Sequence, residues 1–138
     1  PSVREKLEIN AAAHGQMDLS SIAASALKAA YEEGGPWLDQ LLIKVSENMD
    51  LVINELTVAI PGIKINKPHG TYLLWIDYRA LEISEEEMMD KLLNKGKLAL
   101  EPGTKYGESG RGFLRMNVAT PKSIVKDGIQ RFIHALSE

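Results

Sequence analysis

The sequence predicts an α+β fold: a small, mainly antiparallel sheet with helices packed on it, preceded by a long helix and two short ones. Three observations carry this. A one-sided apolar stripe runs through Trp37 to Ile60 in steps of three and four (Leu38, Leu41, Leu42, Val45, Met49, Val52, Leu56, Ile60), as on an amphipathic helix. Downstream, short strand-like runs follow one another across turn residues, as antiparallel neighbours do. Between and after them lie capped segments with helical spacing.

The elements follow in order. Ser2-Val3-Arg4-Glu5 has the form of a capping box and opens a helix to about Ala13, stopped by Gly15. Ser20 or Ser21 caps a second helix through Tyr31, ended by Gly34 and Gly35. Its small residues (Ala23, Ala24, Ser25, Ala26, Ala29, Ala30) bury little area, so residues 1–35 are expected to need a larger body to pack on. Pro36 suits the first position of the long helix, which at 1.5 Å per residue spans roughly 36 Å and could brace two domains. Pro61-Gly62 ends it. Ile63–Lys67 alternates like a half-exposed strand, and Pro68-His69-Gly70 turns the chain. Thr71–Asp77 is almost continuously apolar, β-branched and aromatic, the pattern of a central strand, with Tyr72 and Trp75 most simply read as core. Ser84–Glu87 caps a helix with Met88, Met89, Leu92 and Leu93 inward, stopped at Gly96. Lys97–Leu100 is expected as a short strand. Thr120-Pro121 is expected as cap and first residue of a last helix carrying Ile124, Val125, Ile129, Phe132, Ile133 and Leu136.

Composition narrows the function classes. With 44% apolar and 25% charged residues, the 138-residue chain can bury a core. A net charge of −3 argues against nucleic acid or an anionic membrane as main partner. The chain has no cysteine, which excludes disulfides, thiolate metal sites and thiol catalysis and is compatible with a reducing cytosol. Neither a run of about 18 apolar residues nor a signal-peptide plan is present. A start at Pro1 rather than methionine points to a fragment or a processed product.

One stretch concentrates the candidate chemistry. Glu101–Ala119 begins as a glycine-rich loop (Gly103, Gly107, Gly110, Gly112) and runs into the apolar strand Phe113–Ala119. Arg115 sits between Leu114 and Met116, and a guanidinium left dry and unpaired costs several kcal/mol or more, so an anion is expected to meet it. Two readings compete: a bidentate clamp on a carboxylate or phosphate, or a structural ion pair, for example with Asp77, which the residues alone favour. The loop is neither a Walker loop nor a dinucleotide fingerprint and precedes a strand rather than a helix; it reads as an ordinary turn, or as a lid beside Arg115. His14, His69 and His134 are scattered, with no metal-ligand spacing. Ser20, Ser21 and Ser84 are caps, Glu85 to Glu87 complement a helix dipole, and no lysine has the surroundings of a catalytic amine.

Three segments carry a family resemblance: AAYEEGGPWLDQLL (29–42), PGIKINKPHGTYLLWIDYRAL (61–81) and EPGTKYGESGRGFLRMNVATPKS (101–123). They resemble the C-terminal part of class I/II aminotransferases of pyridoxal-phosphate fold type I, and within these the cystathionine β-lyase (C–S lyase) subgroup. The resemblance implies that residues 1–35 are the terminal helices of a large cofactor domain otherwise missing, and that residues 36–138 form the interdomain helix and the small domain. It implies a cytoplasmic, homodimeric parent acting on an amino-acid substrate with pyridoxal 5'-phosphate, as C–S β-lyase or aminotransferase. Arg115 falls on the family's binder of the substrate carboxylate, and Tyr72 lies near the same site. The family's Schiff-base lysine, pyridine-pairing aspartate and phosphate ligands have no match here; Ser123-Ile-Val-Lys126 has the letter spacing but lies in the last helix. No catalytic, cofactor-binding or metal-binding residue is therefore assigned, and the chain alone is expected to bind no cofactor and to be inactive. The competing reading is a free-standing α+β module that binds a small acid, or a partner, without catalysis.

Overall fold

The computed structural model of the chain describes residues 2–15 and 20–137. It divides into two compact units, Pro1–Gln40 and Leu41–Glu138.

The first unit holds α1 (Val3–Ala13), α2 (Ser21–Glu33) and the start of α3 (Gly35–Ala59). Local chemistry sets their ends. Ser2 and Glu5 form the reciprocal box, with the Glu5 amide donating to Ser2 Oγ at 3.3 Å and the Ser2 amide to Glu5 Oε2 at 2.6 Å. Ser20 Oγ accepts from the Ala23 amide at 3.1 Å. Gly34 alone separates α2 from α3, so Pro36 is the second residue of the long helix rather than the first; its missing N–H is still one that lacks an intrahelical acceptor. Neither α1 nor α2 buries any residue.

The second unit contains the rest of α3, then β1 (Lys64–Ile65), β2 (Leu73–Asp77), α4 (Glu85–Asp90), β3 (Glu101–Pro102), β4 (Phe113–Asn117) and α5 (Lys122–Leu136). The strands form one antiparallel sheet in the order β1-β2-β4-β3. Fold class and element order are those the sequence predicts. The core gathers Val45, Met49, Val52 and Leu56 of α3, Met88 of α4 and Leu92 just after it, and Val125, Ile129 and Phe132 of α5. From the sheet it takes Leu74, Ile76, Leu114 and Met116. Among the described residues no helix is long and apolar enough to cross a membrane.

Several local expectations are corrected. β2 is central in strand order, but its burial alternates, because the sheet is covered on one face only. Trp75 stands 39% exposed on the open face and Tyr72, ahead of the strand, is also exposed, so neither is core. Lys97–Leu100 forms no strand: Lys97 adopts a left-handed conformation (φ 52°) that breaks extended alternation, and β3 begins only at Glu101. Pro121 stands at the cap of α5 instead of its first turn. Leu38, Leu42, Leu93 and Ile124 point outward despite their spacing. Past α4, Lys91–Lys95 widens into a π turn, closed by the Gly96 amide donating to Lys91 O at 2.9 Å. Gly96, not Leu93, then meets α5; a β-carbon there would lie 2.7 Å from Arg131 O.

The glycine-rich loop folds into two 3₁₀ turns, Gly103–Tyr106 and Glu108–Gly110. Gly103 and Gly110 let the two turns meet backbone to backbone: a side chain on either would collide with the other's carbonyl.

Candidate functional site

Arg115 lies in the middle of β4 with its side chain on the open face. Register decides its neighbours. Trp75 of β2 and Glu101 of β3 are its direct partners, so the three residues form one row across the sheet. Arg115 donates from Nη2 to Glu101 Oε2. The Tyr106 hydroxyl donates to the same oxygen, and Lys105 Nζ reaches Oε1 at 2.6 Å. The 3₁₀ turn that follows β3 brings both residues back over Glu101.

Tyr106 also covers the cation. The Arg115 guanidinium carbon lies 4.6 Å from the phenol centroid, a cation–π arrangement. Trp75 meets Tyr106 edge-on at 5.5 Å and 83°, and Phe113 at 6.4 Å and 77°. The side chains of Arg115 and Glu101 stay 26% and 35% exposed, so the ion pair is reachable from solvent. Hydrogen bonds from Lys105 and then Tyr106, with the Arg115 charge, hold the Glu101 carboxyl at about 2 against the opposing effect of burial. The same bond to Glu101 raises Tyr106 above the usual phenol value.

The anion facing Arg115 is therefore Glu101, not Asp77. Asp77 pairs in register with Phe113, one same-face position along the sheet from Arg115, and Arg79 takes it instead at 2.9 and 2.8 Å. These bonds from Arg79 lower the Asp77 carboxyl. Tyr72 lies beyond the Leu73–Asn117 pair, and its side chain forms no hydrogen bond among the described residues. His14, His69 and His134 are exposed, and no three His, Asp or Glu side chains gather at metal distance among the described residues.

Among the described residues Nη2 is the one Arg115 side-chain nitrogen with a hydrogen-bond partner. A guanidinium has five N–H donors, so most remain for a second anion. Arg115 borders a cleft of about 250 Å³ in which Glu101, Asn117 and Thr120 stand beside a mainly apolar lining that includes Leu98, Met116 and Val125. A flat, multi-donor cation beside a small cleft suits a carboxylate. A second polar group lies elsewhere. Tyr78 is 1% exposed, and its hydroxyl and Glu85 Oε2 are buried with no hydrogen-bond partner among the described residues. Thr104 Oγ1 donates to the other Glu85 oxygen at 2.6 Å. Burial, then the Glu85 charge, push the Tyr78 phenol up, so it stays neutral at ordinary pH.

Glu101, Tyr106 and Trp75 are the site residues that sequence reasoning missed. Their signal was Glu101 at the head of the glycine-rich stretch and an aromatic five positions on, which becomes legible only once β3 and β4 are paired.

A four-stranded antiparallel sheet with helices over one face and an arginine displayed on the other is a two-layer α+β domain. The chain belongs to the aminotransferase class I and II family, whose sequence model matches residues 7–132. Cystathionine beta-lyase PatB of Bacillus subtilis is 40% identical over 134 residues, 97% of this chain and 35% of its own length. Protein MalY of Escherichia coli is 38% identical over 117 residues, 85% of this chain and 30% of its own. The crystal structure of cystalysin from Treponema denticola, which contains a pyridoxal 5'-phosphate cofactor, matches with a TM-score of 0.86 at 32% identity, covering 99% of this chain and 34% of that one. This chain spans about a third of the length of the curated relatives it matches.

Proposed function

We propose that this chain is the substrate-carboxylate-binding part of a longer, pyridoxal-phosphate-dependent enzyme that acts on amino acids, most specifically a C–S β-lyase that cleaves cystathionine- or cysteine-like substrates. The observation that carries the reading is Arg115, displayed on the open sheet face with unengaged donors beside a cleft. The cystathionine beta-lyase match supports the lyase branch, and the cystalysin structure supports the cofactor. In this reading residues 36–138 are the interdomain helix and small domain, residues 1–35 close a large domain, and the enzyme is a cytoplasmic homodimer. The absence of cysteine agrees with a reducing compartment.

This chain's own residues do not fit the cofactor. Every described lysine is exposed or ion-paired, so none is the desolvated amine that pyridoxal chemistry needs. What Arg115 supplies is orientation. A bidentate grip on the α-carboxylate fixes the substrate's Cα against the catalytic groups of the longer protein.

The test is to express the whole reading frame, record cofactor absorbance, and follow pyruvate release from cystathionine or cysteine. Arg115→Ala is expected to lower kcat/KM by the equivalent of roughly 3–5 kcal/mol. Unchanged kinetics would remove the carboxylate assignment. The family description favours transamination as the second reading; amino-group transfer to an oxo acid without pyruvate release from cystathionine would select it.

A further inference from the structure

The geometry points to Glu101 as a positioning residue: with Tyr106 it fixes the guanidinium of Arg115 while leaving most of its donors free for a substrate carboxylate. The inference rests on the carboxylate-binding reading of Arg115.

An arginine side chain on an open sheet face has many rotamers, and a productive grip on a planar carboxylate needs one of them. Three contacts restrict it here. Register sets Glu101 directly across from Arg115, and its carboxylate takes Nη2. The Tyr106 ring covers one face of the guanidinium at 4.6 Å. Tyr106 is itself held, because its hydroxyl donates to the same Glu101 oxygen and Trp75 braces its ring at 5.5 Å. Tyr106 thus bears on the cation directly through its ring and indirectly through Glu101. No hydrogen-bond partner among the described residues takes the other guanidinium nitrogens, and Arg115 and Glu101 both border the cleft that also holds Asn117 and Thr120.

Charge separates this from a plain ion pair. Glu101 is shared by two cations, Arg115 and Lys105. The cluster therefore keeps a net positive charge, as an anion site requires, whereas a closed one-to-one pair would be neutral. The two accounts predict opposite signs for Glu101→Gln. That substitution keeps the shape and makes the cluster more positive. If charge alone mattered, the substrate carboxylate would bind more tightly. If orientation matters, it binds more weakly.

The experiment uses the full-length enzyme loaded with its cofactor and steady-state kinetics on L-cystathionine. Glu101→Gln is expected to raise KM about tenfold with kcat changed less than about threefold, and Tyr106→Phe to raise KM about threefold. The double variant is expected to match Glu101→Gln alone, since the phenol hydroxyl acts through the carboxylate. Glu101→Asp should recover part of the loss. A KM that stays constant or falls in Glu101→Gln overturns the proposal, as does full additivity of the two changes. Arg115→Lys is the control. If it leaves KM unchanged, the carboxylate-binding reading itself has failed. If it raises KM while Glu101→Gln does not, only the positioning role is lost. Should Glu101→Gln fail to retain cofactor absorbance, Tyr106→Phe, which keeps the ring in place, decides by the same KM criterion.

Discussion

Asn48 holds the carbonyl of Val118 and, two residues on, that of Thr120: its Nδ2 donates to both at 2.9 Å. It is the one buried polar side chain on α3, and its two bonds tie that helix to the link between β4 and α5. Asn48→Ala is expected to destabilise the chain by about 2–4 kcal/mol, since two carbonyls lose a donor in a site water reaches poorly. Urea unfolding compares the two forms; an unchanged midpoint and slope would rule the tie unimportant.

Glu101 should titrate far below an ordinary glutamate. Its folded value is lowered from 4.5 to about 2, first by Lys105, then by Tyr106. A depressed carboxylate favours the folded state above its unfolded value, and that contribution fades as pH falls from about 4.5 through about 2. Carbon-detected NMR of the side-chain carboxyl reads the midpoint directly. Lys105→Ala and Tyr106→Phe should each move it upward, and a wild-type midpoint near 4.5 would contradict the network.

Tyr78→Phe removes a buried hydroxyl that has no partner among the described residues. Because an unpaired buried hydroxyl is itself unfavourable, the change is expected to be neutral or to stabilise by up to about 1 kcal/mol. A clear drop in thermal midpoint would show that the hydroxyl is bonded in solution.

Gly103 and Gly110 make a paired prediction with an internal control. Alanine at either should cost more than about 2 kcal/mol, because the new β-carbon runs into backbone that has no room to yield. Gly70→Ala meets open space and should fall within about 0.5 kcal/mol of the parent. Similar losses at all three positions would mean that the loop yields and that loop crowding is not the cause.

The contrast between what was and was not legible follows from distance along the chain. The caps at Ser2, Ser20 and Ser84 and the helices they open depend on neighbours three or four residues away, and periodicity shows them. Arg115 was visible as a charge in an apolar strand. Its partner was not, because the choice between Asp77 and Glu101 depends on which strand lies on which side of β4 and in what register. A nearly uniform apolar run places Trp75 in the core, and composition alone does not reveal that one face of a sheet is left bare. A regular helical count points Leu93 inward, but the chain changes pitch at Lys91–Lys95.

The one-sided burial of β2 and β4 also divides the work of the strands between alternate positions. Leu74, Ile76, Leu114 and Met116 answer to the core and have little freedom to change volume. Trp75, Phe113 and Arg115 stand between them on the other face, outside the core. Chemistry and foldability are thereby written on interleaved residues of the same two strands. A protein built this way can acquire a new substrate preference by exchanging odd-numbered side chains while the even-numbered ones keep the scaffold intact.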